Sequence, residues 1–152
     1  MKLILAGIDK NTLEYWESRL SLTALRDRTE FYRFIPEISP RSDDLTCWMM
    51  YREPEVPWIY PGEADMLVIY RLSTGLRQLD RLRYPARILL VLPYPGWPED
   101  NSGSPEAEYQ EPAMLARLQK WAPELELYYR SDDAGLYGPY ETEERILRSM
   151  GL

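Results

Sequence analysis

Short, almost wholly apolar stretches alternate along this chain with segments whose apolar residues recur at helical spacing, and that alternation sets the predicted architecture. Residues 2–8 read as a buried strand closed by the Gly7-Ile8-Asp9 transition. Leu13, Trp16, Leu20 and Ala24 then return every three or four positions and line one face of a helix, with Asn11 as N-cap and Glu14 three places on. Residues 31–35 predict a second, aromatic strand ended by Pro36, followed by loop to Asp44. Residues 45–51 admit two readings: Ser42, Asp43 and Asp44 can start a short helix, while the aromatic and sulfur content suits a strand, which is preferred.

Pro54, Pro57 and Pro61 make residues 52–65 irregular. Residues 66–70 predict a buried strand, after which Ser73 or Thr74 caps a helix that turns Leu76, Leu79 and Leu82 inward and its arginines outward. Residues 87–92, preceded by Pro85, form the clearest strand of all. A long loop spans 93–105; Ser104 and Pro105 can open a helix that Pro112 restarts or kinks, with Met114, Leu115, Leu118 and Trp121 as its apolar stripe. Leu125, Leu127 and Tyr129 alternate with Glu126 and Tyr128, the mark of a half-exposed edge strand. A last helix begins near Thr142, with Glu143 and Glu144 in its first turn and Arg148 late.

Apolar strands alternating with helices need crossover connections, and crossovers build a mostly parallel sheet covered on both faces. The expected fold is a single α/β domain over residues 1–152, a three-layer sandwich of Rossmann-like or flavodoxin-like kind.

Composition then narrows the chemistry. The chain has no histidine and one cysteine, Cys47, so Ser-His-Asp and Cys-His devices, zinc fingers and HExxH proteases are closed to it. Cys47 reads as a small buried hydrophobe. No apolar run approaches the ~20 residues that span a bilayer, and residues 1–7 lack a secretory h-region, so the expectation is a cytoplasmic protein without membrane partners. The net charge of −7 argues against electrostatically driven nucleic-acid binding.

That charge is uneven. Arg71, Arg77, Arg81, Arg83 and Arg87 face only Asp80 in their segment, whereas residues 99–144 hold twelve acids against Arg117, Lys120 and Arg130. The plain reading is a solvated surface; the sharper one is a basic site on an acidic molecule.

In open parallel sheets ligands bind beyond the carboxyl ends of the strands. That rule selects residues 9–11, 71–75, 93–105 and 130–135. Arg71, Ser73, Thr74, Arg77 and Arg81 form a candidate anion or partner site at a helix N-terminus, against the plainer reading of an ordinary cap. Trp97, Glu99 and Asp100 make a candidate binding loop. Asp9, Asp132 and Asp133 are candidate rim carboxylates able to hold Mg²⁺ with a phosphate ligand, or simply turn formers. Neither GxxxxGK[ST] nor GxGxxG occurs, and no other metal or cofactor is indicated.

Leu5-Ala6-Gly7 before a helix, residues 64–69 before another, and Ile88-Leu89-Leu90-Val91 together resemble the nucleoside 2-deoxyribosyltransferases and related nucleotide-processing folds. The resemblance implies a carboxylate nucleophile on the helix after the second of these strands. Asp80 is the only acid there, and its neighbours Arg77 and Arg81 suit it to an ordinary ion pair. Two functions of different class are therefore expected. The first is a non-catalytic, acidic protein-binding module of inhibitor, immunity or regulatory-adaptor type, with another protein as partner; missing catalytic residue types and abundant Tyr, Trp and Arg favour it. The alternative is a small nucleotide- or phosphate-handling enzyme, distantly deoxyribosyltransferase-like, using rim carboxylates and Mg²⁺.

Overall fold

A computed structural model describes residues 1–52, 58–92, 111–130 and 138–152. Six strands form one sheet of mixed orientation in the order β2-β3-β1-β4-β5-β6, where β1 is Lys2–Ile8, β2 Phe31–Phe34, β3 Leu45–Tyr51, β4 Ala64–Ile69, β5 Leu82–Leu92 and β6 Glu126–Tyr129. The most uniformly apolar strands, β1, β4 and β5, are adjacent and parallel at the centre, as their composition predicts, and β6 pairs parallel at one edge. The other half departs from the expected mostly parallel sheet: β3 runs antiparallel to both β1 and β2. The physical reason is the connection, because β2 and β3 follow one another with no helix between them, and neighbouring strands so joined pair antiparallel. Residues 45–51 are strand throughout, buried between β1 and β2.

Alternate side chains of the strands feed two cores. On one face Leu3, Leu5, Cys47, Met49, Val68 and Leu89 meet Leu13, Trp16 and Leu20 of α1 (Lys10–Arg26) and Ile146 and Leu147 of α4 (Glu141–Ser149). On the other, Ile4, Trp48, Leu67, Ile69 and Leu90 meet Leu72 of α2 (Leu72–Leu76) and Leu118 of α3 (Glu111–Trp121). Burial pushes the Cys47 thiol up to about 12, which leaves it a packed, protonated hydrophobe, as its composition context suggested.

Several local expectations are corrected. Asp9, not Asn11, caps α1: Thr12 donates from its backbone N to Asp9 Oδ2 at 3.1 Å and from its hydroxyl to Oδ1 at 2.6 Å. The helix predicted from Ser73 or Thr74 to Leu82 is five residues long, starts at Leu72 and has Arg71 at its N-cap position with no side-chain cap. A 3₁₀ turn, Leu79–Arg81, follows, and Leu82 already belongs to β5. Leu76, Leu79 and Leu82 still reach the core, on a different backbone. Strand β5 passes through Pro85, and Arg83 to Ala86 bulge out between the pairs Ala64–Leu82 and Met66–Arg87. Trp121 is exposed instead of lying in the stripe of α3. On the edge strand β6, Leu127 and Tyr129 are exposed and Glu126 and Tyr128 half-buried. The loop 93–105, with Trp97, Glu99 and Asp100, lies outside the described residues, as do Ser104, Pro105, Asp132 and Asp133.

Candidate functional site

The connections decide where a cleft opens. From β1 the chain leaves through α1 toward β2 on one side, and from β4 it leaves through α2 toward β5 on the other and across the opposite face. β1 and β4 are neighbours, so their carboxyl ends mark a topological switch point. A cleft of about 260 Å³ lies there, lined by Gly7, Tyr70, Arg71 and Val91 at the ends of β1, β4 and β5, by Arg130 just beyond β6, and by Asp43 and Glu111.

Gly7 makes the approach of β1 and Arg71 feasible. Its φ is +76°, the β1–β3 register slips across it, and a Cβ there would sit 2.7 Å from the Arg71 backbone nitrogen and collide with the Arg71 Cβ. Arg71 stands 3.6 Å from Asp43 and 3.7 Å from Asp44, outside hydrogen-bonding range. Asp44 instead accepts from the Thr74 hydroxyl at 2.6 Å, and Asp43 takes the forked guanidinium of Arg41 at 2.8 and 2.9 Å. Arg71 is thus held near two carboxylates without being saturated by either.

Arg130 is fixed more firmly. Its Nη1 donates to Glu143 Oε1 at 2.5 Å, and its guanidinium lies 5.5 Å from the centre of the Tyr70 ring. The Tyr70 hydroxyl donates to Glu143 Oε2 at 3.3 Å and accepts from Trp16 Nε1 at 2.9 Å. Glu143 has 0 % exposure; desolvation holds its carboxyl above the usual range, against the opposing pull of Arg130 and Tyr70. Glu144, also buried, accepts from Arg19 and from the Tyr15 hydroxyl, and Tyr15 stacks on Tyr140 at 4.4 Å.

Of the candidate site residues named from sequence that fall among the described residues, only Arg71 lines the cleft, joined by Arg130 from the selected segment 130–135. Ser73 is exposed and Thr74 is a buried partner of Asp44. Arg77 borders a separate hollow of about 220 Å³ with Glu37, Pro40 and Arg41. Arg81 sits near the opposite end of the sheet, donating to the Ile59 carbonyl at 2.9 Å and lying over Trp48. Arg83 and Arg87 pair with Asp65 and Glu126. The five arginines thus form no single basic face, because the predicted helix that would have aligned them is mostly turn and strand. Asp80, in the 3₁₀ turn before β5, also lies away from the cleft. Both oxygens of Asp9 serve the cap of α1. Among the described residues no group of three or more Asp, Glu, His or Cys side chains is placed to hold a metal ion.

The sequence matches no protein-family model and no curated protein. The site is therefore known from its own geometry. Its missed members, Tyr70, Glu143 and Glu144, did leave a signal: Glu143 stands three and four places before Ile146 and Leu147, so it continues the inward stripe of α4.

Proposed function

We propose that this chain binds a small phosphate-bearing ligand, of nucleotide or sugar-phosphate type, in the cleft between the carboxyl ends of β1 and β4. The position of the cleft carries this reading, since switch points are where open α/β sheets hold ligands. Its chemistry agrees. Arg71 and Arg130 bring two guanidiniums from just beyond different strands, β4 and β6, and their forked N–H groups suit phosphate oxygens. Asp43 and Glu111 offer acceptors to hydroxyl groups of the same ligand. A volume of about 260 Å³ suits a compact molecule. The covered faces of the sheet are read, with this function, as the three-layer sandwich of Rossmann-like or flavodoxin-like kind that such sites accompany.

Calorimetric titration with AMP, ribose 5-phosphate and inorganic phosphate, with and without Mg²⁺, tests the reading. Saturable binding of a phosphate ester is expected, weakened roughly 10- to 100-fold by Arg71→Ala and by Arg130→Ala, as loss of a charged hydrogen bond implies. No binding by the wild type, or binding by both variants as tight as that of the wild type, would contradict it.

A different observation favours the protein-binding module as a second reading. A groove of about 500 Å³ at the other end of the sheet is lined by Tyr84, Pro85, Trp121 and Pro123, with Arg83 and Glu124 beside them. Tyr84 is 99 % exposed and Trp121 54 %, and exposed aromatic side chains flanked by charge are the usual anchors of protein interfaces.

A further inference from the structure

Glu143 does not line the cleft, yet it bonds to both Arg130 and Tyr70, which do. We propose that Glu143 is a positioning residue for the rim site, fixing the Arg130 guanidinium and the Tyr70 ring in the arrangement that receives the ligand's anionic group. The inference rests on the cleft reading above and adds to it a residue that touches no ligand.

An arginine side chain is long and samples many rotamers, so an anion that must order it binds more weakly than one that finds it ordered. Here the ordering is already present. Arg130 Nη1 is tied to Glu143 at 2.5 Å and reaches the Pro139 carbonyl at 3.4 Å. Its Nε and Nη2 make no hydrogen bond among the described residues. Tyr70 is similarly fixed: its hydroxyl is occupied by Glu143 on one side and Trp16 on the other, so the group it offers the cleft is its ring, stacked on the guanidinium. The network draws on α1, β4, β6 and α4, the elements around the carboxyl rim.

Glu143 need not be what docks α4. Glu144 binds Arg19 and Tyr15 of α1, and Ile146 and Leu147 are buried in the core, so the helix keeps three anchors without Glu143. Glu143→Gln, which preserves shape and one acceptor oxygen, therefore separates positioning from folding.

A double-mutant cycle on the intact chain tests this, with affinity measured by calorimetry for whichever of AMP and ribose 5-phosphate the wild type binds. Glu143→Gln should weaken binding about tenfold, Arg130→Ala at least as much, and the double variant should stay within about threefold of Arg130→Ala, because Glu143 acts mainly through Arg130 and for the remainder through Tyr70. Tyr70→Phe, which removes the hydroxyl and keeps the ring, should weaken binding roughly threefold and provides the same test should Glu143→Gln not fold. If Glu143→Gln binds within twofold of wild type, or its loss multiplies with that of Arg130→Ala, the positioning role is overturned while the cleft stands. If Tyr70→Phe alone can be measured and binds like wild type, the role is likewise overturned. If the wild type binds neither ester, the cleft reading and this inference fail together.

Discussion

Adjacent glutamates in α4 respond to burial in opposite directions. At Glu143 desolvation dominates and raises the carboxyl above its ordinary value; at Glu144 desolvation also raises it, but hydrogen bonds from Arg19 and Tyr15 outweigh that and lower it. The signs have separate consequences. A raised acid favours the fold below its unfolded value, and that contribution is lost as pH rises through the folded value. A lowered acid favours the fold above its unfolded value, and that contribution is lost as pH falls through the folded one. Glu144 therefore adds stability near neutrality that disappears on acidification below its ordinary value of 4.5. Urea unfolding across this range should show the wild type losing stability as pH falls, and Glu144→Gln losing clearly less. An equal fall in both proteins would mean that the Arg19–Glu144–Tyr15 contacts do not hold the charge as described.

At the scale of elements, the chain shows what apolar spacing can and cannot decide. Strands β1, β4 and the 87–92 part of β5 are legible because their apolar runs are short and bounded by Gly, Pro or charge, whereas residues 45–51 admit helix as well as strand and only the pairing with β1 and β2 decides. The helix after β4 was misplaced because Leu76, Leu79 and Leu82 satisfy helical spacing while a turn and a strand deliver the same residues to the same core. Gly75 explains part of this: it packs so closely on Ile69 that a Cβ would lie 2.6 Å from Cγ2, and glycine is a poor helix former. An exposed helical glycine gains stability on replacement by alanine, but Gly75→Ala should lose about 1–3 kcal/mol through overpacking. Thermal or urea unfolding reads this directly, and a stabilised Gly75→Ala would show the contact with Ile69 to be loose. From sequence Glu143 and Glu144 are dipole-matching acids of a first turn, the common role for acids there, whereas their inward position depends on Arg19, Tyr70 and Arg130, on other elements.

For the whole molecule, strand order matters more than composition. The rule that ligands gather at the carboxyl rim could be applied from sequence, and it brought Arg71 and the Arg130 segment into view. The switch point itself required the strand order, since the placement of β2 and β3 on the side of β1 away from β4 sends the two central connections apart. Among the described residues part of the uneven charge is paired across the fold: Arg83 with Asp65, Arg87 with Glu126, and Arg130 with Glu143. The guanidiniums at the cleft are thus set by topology and by a buried carboxylate, not by a basic run. Among the described residues no helix is long and apolar enough to cross a membrane.

The central claim, a phosphate-ester site at the β1–β4 switch point, is tested most directly by backbone amide chemical shifts during titration with ribose 5-phosphate or AMP. The account predicts saturable shifts concentrated at Gly7, Tyr70, Arg71 and Arg130, with the groove at Tyr84 and Trp121 unmoved. Shifts confined to that groove, or none at the rim at saturating ligand, would contradict it.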